Sequence, residues 1–330
     1  MMKQTTKVSK AKKQTKAKKP HYGVKNWGEY NASLVKRGSI TVWVSTETTQ
    51  GWRPQVMGVR LRGGQMQYTD AAIECSLTLK ELLGLALRQT EGFVGSVLEL
   101  VAPELRAPDY TTLCKRAKEV SVSIPVSARS GPAHIVMDST GMKVYGEGEW
   151  KVRKHGYSKR RTWRKLHLSV NPDTQEVEAV LLTDVSGDDA GAGGQMLESL
   201  AGPIESLAGD GAYDKRKFYE TCTKREIRHI LIPPQHNARI WQHGNSKQPA
   251  LPRDQNLRRI RKIGRKGWKV ESGYHRRSLA ETAVFRFKTI FGGHLSARSF
   301  ERQITEVRIK CRVLNIMTQL GMPDSYLVVA

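Results

Sequence analysis

The chain has 330 residues, 38% of them hydrophobic, which is enough apolar material for two packed domains with true cores. Its 55 lysines and arginines stand against 31 acids, a net charge of +24 whose natural partner is a polyanion. No apolar run reaches the roughly 18 residues of a spanning helix and the first residues lack a signal-peptide core, so the expectation is a soluble protein with no membrane role.

Residues 1–20 hold eight lysines, no acid and almost nothing apolar, the composition of a disordered basic arm. Such an arm serves equally as a DNA tether or as a solubilising tail. Residues 21–120 read as a mainly helical N-terminal DNA-binding region. From Asp70 to Val101 apolar residues recur at helical spacing, with a break expected near Glu91-Gly92. Pro103 and Pro108 bracket a turn, and a short basic helix follows Asp109. This pair suits a helix-turn-helix presenting Thr112, Lys115, Arg116 and Lys118 to a groove; a plain helical bundle with a solvated basic face fits as well.

Residues 121–133, rich in Ser, Pro and Gly, read as a linker, and beyond them the pattern changes to strands. His134-Ile-Val-Met-Asp138 is an apolar run ending in an acid. Lys165–Val170, the turn at Asn171-Pro-Asp-Thr and Glu176–Thr183 form a hairpin. A helix around Gln195–Leu200 leads to a strand from Ile204 that ends in Asp210; Asp214 opens a helix to about Lys224, and Ile227–Ile232 is the last strand. Three strands, helix, strand, helix, strand and then helices is the order of an RNase H-like fold, an α/β domain over 134–320 with a mixed five-stranded sheet and flanking helices. Residues 235–273 read as a basic loop, Phe300–Leu320 as an amphipathic helix for core packing or a dimer contact, and 321–330 as a tail.

Asp138, Asp210 and Glu281 lie 72 and 71 positions apart, yet this topology brings all three to one end of the sheet. Clustered carboxylates repel one another, and hard oxygen donors of this kind suit Mg²⁺, or Mn²⁺, as the neutralising ion. Two such ions can activate an attacking hydroxyl and stabilise a leaving oxygen in phosphodiester exchange. Around Glu281 the chain reads Tyr274-His-Arg-Arg277-Ser-Leu-Ala-Glu281, then Lys288. On one helix at about 100° per residue, Tyr274, Arg277 and Lys288 fall within roughly 40° of Glu281, placing phosphate-seeking groups beside an acid. The same letters, Ser278-Leu-Ala-Glu281, also spell a capping box.

Two basic bands flank these acids. Lys151–Lys165 carries eight cations without an acid, among them Lys159, Arg160, Arg161 and Arg164 as candidate DNA contacts, and Arg253–Arg277 carries ten. Trp150, Trp163, Trp241 and Trp268 interleave with them, for base stacking or for core packing. His155, His167, His236 and His275 show no ligand spacing. Asp184, Asp188 and Asp189 sit in a Gly-rich loop and Asp214 reads as a helix cap, so none is expected to bind metal. Gly187–Gly194 lacks the lysine of a phosphate loop, so no nucleotide cofactor is expected. Cys75, Cys114, Cys222 and Cys311 show neither zinc nor disulfide spacing, which fits a reducing cytoplasm.

The Tyr-x₂-Arg-x₃-Glu-x₆-Lys pattern at Tyr274, Arg277, Glu281 and Lys288 resembles the signature of a group of bacterial insertion-sequence transposases of the DDE class. Asp138 in Val-Met-Asp-Ser-Thr-Gly and Asp210 in Ala-Gly-Asp-Gly-Ala-Tyr-Asp resemble that family's first two acids, and Tyr30–Trp43 resembles its N-terminal opening; the likeness runs from about residue 26 to 320. The resemblance implies a nucleoid-associated bacterial enzyme that binds the terminal inverted repeats of its element in double-stranded DNA. It further implies a homodimer in a synaptic complex that cuts the element ends and joins them to target DNA. Some relatives carry a large β-insertion before the Glu, for which the 70 residues here leave little room. The competing readings are a nuclease using the same acids, a non-catalytic DNA-binding protein, and a recombinase with a covalent Ser or Tyr intermediate.

Overall fold

A computed structural model describes residues 21–54, 65–144, 163–243 and 250–328. The basic arm at 1–20 and most of the first basic band lie outside the described residues. After strand β1 (His21–Val24) come three short helices, α1 (Trp27–Arg37), α2 (Ile40–Trp43) and α3 (Thr46–Gln50), and then α4 (Asp70–Leu83) and α5 (Leu87–Val101). The break between α4 and α5 falls at Gly84, not at Glu91-Gly92. Gly84 takes the left-handed conformation (φ 66°) that ends a helix cheaply only at glycine, whereas Gly92 is carried inside α5. Helix α6 (Tyr110–Arg116) starts where Asp109 accepts the backbone N–H groups of Thr111 and Thr112, the cap that its position promised.

The stretch expected as a linker is packed: Val122 is buried, Ser127 donates to the Glu176 carboxylate, and Asn315 donates to the Pro125 carbonyl. Strand β2 (Ala133–Val144) follows, with β3 (Trp163–Val170) and β4 (Val177–Asp184) forming the expected hairpin. Strand β2 does not end at Asp138. It runs six residues further because β3 pairs with it along its length, from Val136↔Val170 to Lys143↔Trp163, supplying the partner that the polar run Ser139-Thr140-Gly141 does not advertise.

Helix α7 (Asp189–Ser199), strand β5 (Ile204–Ala208), helix α8 (Arg216–Lys224) and strand β6 (His229–Leu231) come next. The region expected as a basic loop is largely helix α9 (Pro252–Glu271), broken at Gly264. Docking overrides its charge: Leu257 and Trp268 are buried, and Asn256 joins the two sides by donating to the Ile230 carbonyl and accepting from the Trp268 indole. Helix α10 (Ser278–Phe291), the two-residue strand β7 (His294–Leu295), helix α11 (Phe300–Leu320) and strand β8 (Ser325–Val328) complete the described chain.

The main sheet has the order β4-β3-β2-β5-β6, antiparallel across β4, β3 and β2 and parallel across β2, β5 and β6. This is the RNase H-like arrangement. It has six strands rather than five, because β7 adds to the far end of β2. Residues 325–328, placed in a tail by the sequence reading, pair with β1 in a separate two-stranded ribbon.

Alternation along β2 divides the two layers. Ile135 and Met137 face α7 and α8; Val136 and Met142 face α10 and α11. The second core continues into the N-terminal helices, so Trp43, Trp52, Leu79 and Leu98 share one cluster with Leu166, Phe287, Val307 and Leu314. Cys75, Cys222 and Cys311 are buried in these layers, which pushes each thiol up to about 12. No helix among the described residues is long and apolar enough to cross a membrane.

Phe287 is fully buried on α10, its ring 5.4 Å from that of Phe291. Phe287→Ala is therefore expected to cost about 3–5 kcal/mol of folding stability, read from the denaturant midpoint; a cost near zero would place the side chain outside the core.

Candidate active site

The parallel pairing of β2 with β5 sets Val136 opposite Ala208. Two residues further along each segment stand Asp138 and Asp210, and the two-residue period of a strand directs Asp138 to the face of Val136, toward α10. Beyond Ala208 the chain leaves the sheet through Gly209. A Cβ there would come within 2.8 Å of the Tyr213 ring, so this close approach requires glycine. The Asp210 carboxylate accepts the Ala212 N–H at 2.8 Å, which fixes the turn over residues 211–213.

The third acid arrives on α10. Tyr274–Arg277 form a 3-10 turn that runs straight into the helix, and Ser278 donates to the His275 carbonyl instead of capping. The capping box is therefore not formed. Glu281 instead pairs with Arg277 one helical turn earlier, and the same guanidinium lies 3.7 Å from Asp138. Tyr274 leaves the expected stripe because it belongs to the 3-10 turn: it is buried, 5.5 Å from the Trp268 ring, and its hydroxyl donates to the Gly209 carbonyl at 3.2 Å. It braces the Asp210 segment from behind.

Burial raises the Asp138 carboxyl above its ordinary value; the Ser139 N–H and Arg277 oppose this, and Asp210 and Glu281 add to it. Burial disfavours the charge on Arg277, but Tyr274, Glu281, Asp138 and Asp210 outweigh that and raise its pKa further. Arg277 is thus the common counter-charge of three acids. All three offer carboxylate oxygens, the donor type of hard divalent cations. Among the described residues, no three His, Cys, Asp or Glu side chains stand close enough together to hold a metal ion as they are. The donor chemistry fits such an ion, and a guanidinium stands among the donors.

On the opposite face of β2 lies a polar cluster that the sequence reading missed. Asp189 accepts from the Lys165 ammonium at 2.6 Å, and its other oxygen is 3.3 Å from His167 Nδ1. His167 is fully buried, with Nε2 2.9 Å from the Thr183 hydroxyl. Burial works to raise the Asp189 carboxyl, yet hydrogen bonds from His167, Lys165 and Ser139 hold it well below the usual carboxylate range. Beside it the Tyr213 hydroxyl is buried without a hydrogen-bond partner among the described residues; burial first, then Asp189, Asp210 and Asp138, raise its pKa. The only signal was that Lys165 and His167 share one face of β3, which becomes informative once α7 is known to cross that face.

The other expected residues are dispersed. Lys288 is half-buried, two turns beyond Glu281 on α10. Lys115 is exposed on α6, while Arg116 is tied to Asp70 and to the Tyr68 carbonyl. Arg164 pairs with Asp184 and donates to Gln303. Lys159, Arg160 and Arg161, with Trp150 and His155, lie outside the described residues. Asp188 caps α7. Asp214 is not a helix cap: Lys215 holds that position before α8, and the Asp214 carboxylate accepts from buried Arg253 at 2.7 Å. Arg253 stacks 3.8 Å from the Trp241 ring centre, which accounts for that tryptophan as packing.

The raised Asp138 pKa means the folded chain holds this proton more tightly than the unfolded chain, so ionisation opposes folding. The penalty is absent below the unfolded value of about 4, appears as pH rises through the folded value and is complete above it. In metal-free buffer Asp138→Asn should melt higher than the wild type near pH 8, with the gain vanishing toward about pH 4. Equal melting temperatures at the higher pH in calorimetry would refute this.

Two family descriptions match, both of a transposase DDE domain, one over residues 35–147 and one over residues 129–316. The chain is also similar to a solved cryo-EM structure of the piggyBac transposase synaptic complex with hairpin DNA. The identity is 9%, the alignment covers 87% of this chain and 74% of that one, and the TM-score is 0.38. Because the second family match alone spans more than half of the chain and takes in Asp138, Asp210 and Glu281, the chain belongs to the transposase DDE domain family.

Proposed function

We propose that this chain is the transposase of a bacterial insertion sequence, of the group bearing the Tyr-x₂-Arg-x₃-Glu-x₆-Lys signature. It binds the terminal inverted repeats of its element, cuts there and joins the ends to target DNA. The observation that supports this reading is that Arg277 pairs with Glu281 and lies 3.7 Å from Asp138, while Asp210 follows the strand paired with β2.

Asp138, Asp210 and Glu281 are the residues that would hold Mg²⁺ or Mn²⁺. A divalent cation bound there supplies Lewis acidity to the attacking hydroxyl and to the leaving oxygen of an in-line phosphodiester displacement. Asp210 is fixed by the Ala212 N–H and braced through Gly209 by Tyr274, so it is the rigid donor; Glu281, more than half exposed, is the adaptable one. Tyr274 spends its hydroxyl within the fold, which leaves phosphate contact to Arg277 at the end of the 3-10 turn, to Lys288 on α10 and to the cations of α9. Transesterification makes one phosphodiester for each one broken and needs no nucleotide.

Residues 21–120 are the end-recognising region in this reading and 134–320 the catalytic domain. Lys115 on α6 is a candidate contact, and Arg164 together with Lys159, Arg160 and Arg161 forms a second basic band. Two copies, one at each element end, give the synaptic complex its symmetry.

The test is strand joining. The full chain, Mg²⁺ and a duplex ending in the terminal repeat with a free 3′-hydroxyl should yield plasmid-joined product. Asp210→Asn should lower joining about a thousandfold or more while duplex binding persists. Cleavage without joining would assign a nuclease, binding with neither a non-catalytic DNA-binding protein, and unchanged joining in the variant would remove Asp210 from the mechanism.

A further inference from the structure

We propose that Arg277 is a stand-in cation: it neutralises the three carboxylates until a divalent ion displaces it, and the displaced guanidinium then becomes a ligand for the DNA backbone. The inference rests on the reading of Asp138, Asp210 and Glu281 as metal ligands, and it concerns the order in which metal and DNA are taken up.

Three observations carry it. First, the guanidinium is paired with Glu281 and lies 3.7 Å from Asp138, so an ion drawing on these carboxylates must compete with it. Second, its charge cannot be shed. Arginine stays protonated in proteins, so an arriving dication must move it and cannot neutralise it. Third, the grip is uneven. Arg277 donates directly to Glu281, which is exposed, whereas its contact with Asp138 is longer than a hydrogen bond, so neither carboxylate is held by the two parallel N–H donors that bind most strongly.

Formal charges agree. Three carboxylates and one bridging phosphodiester carry four negative charges, which two divalent cations balance; a guanidinium left among them would be a fifth positive charge in excess. The Tyr274 ring already lies 5.9 Å from the Arg277 guanidinium carbon, a cation–ring contact that keeps the side chain beside the turn when its carboxylate partners are taken. The exchange couples the two partners: metal makes Arg277 available to DNA, and DNA that takes Arg277 opens the acids to metal.

The experiment is Mn²⁺ binding to the full chain, followed by electron paramagnetic resonance of the free ion, in the wild type, Arg277→Gln, Arg277→Lys and Asp138→Asn. Arg277→Gln should bind Mn²⁺ about tenfold more tightly than the wild type, because a like charge some 4 Å from the site is gone. Arg277→Lys, which keeps the charge, should stay near the wild-type value, and Asp138→Asn should bind weakly. Equal or weaker binding by Arg277→Gln, with Asp138→Asn still defective, would overturn the stand-in role while leaving the metal site intact. No Mn²⁺ binding by the wild type or Arg277→Gln would overturn both. A second measurement needs no folded Gln variant: in the wild type, the Arg277 Nε–H nuclear magnetic resonance signal should shift as Mg²⁺ is added, and an unmoved signal at saturating Mg²⁺ would also sink the proposal.

Discussion

Like charges confined to one face of a sheet set the terms for this molecule. The pairing of Val136 with Ala208 commits Asp138, in the middle of β2, and Asp210, two residues past the end of β5, to neighbouring positions, and α10 adds Glu281. Left alone, three carboxylates in a half-buried place would take up protons or push the elements apart. Arg277 offsets part of this from inside the chain, though the Asp138 carboxyl stays raised. The strand register, the Gly209–Tyr213 close approach and the 3-10 turn at Tyr274–Arg277 are the local features that bring the four charges together.

Around that centre the packing is continuous from the N-terminal helices into the sheet. Helix α11 is the member that joins them, and its middle is unexpectedly polar for so buried an element. Lys310, only 3% exposed, lies 2.6 Å from Glu306 and 3.5 Å from Glu81 of α4, and Glu306 also accepts the Ser296 and Ala297 N–H groups. Burial raises the Glu306 carboxyl, but Lys310 and these N–H donors prevail and lower it. A paired buried charge of this kind is costly to break, so it specifies how α4 docks on α11 more than it adds net stability.

Much of this was legible in the residues, and the failures have identifiable causes. The three- and four-residue spacing from Ile304 to Met317 located α11, and the turn chemistry at Asn171 located the β3–β4 hairpin. The offset of four placed Arg277 and Glu281 on one stripe, although the sequence reading assigned Arg277 to phosphate and not to the ion pair it makes with Glu281. The course of β2 past Asp138 was hidden, because Ser139-Thr140-Gly141 owes its extended form to a partner strand and not to its own pattern. Helix α9 was hidden beneath its cations, which outnumber its buried apolar side chains, Leu257 and Trp268. Asp189 and His167 meet only because α7 crosses β3, a juxtaposition that no local spacing encodes. Tyr274 was misplaced by assuming an α-helical turn where the chain makes a tighter one.

The small ribbon of β1 and β8 has a mechanical consequence. Its register sets His21 against Val328 at one end and Val24 against Ser325 at the other. The two ends of the described chain thus lie side by side at the same pair of residues. Tension applied there would peel the ribbon one rung at a time, beginning with His21 and Val328, instead of loading all four rungs in shear. This unzipping geometry resists force weakly, so under a pulling load the ribbon should open before the shared core of α4, α11 and the sheet feels the strain.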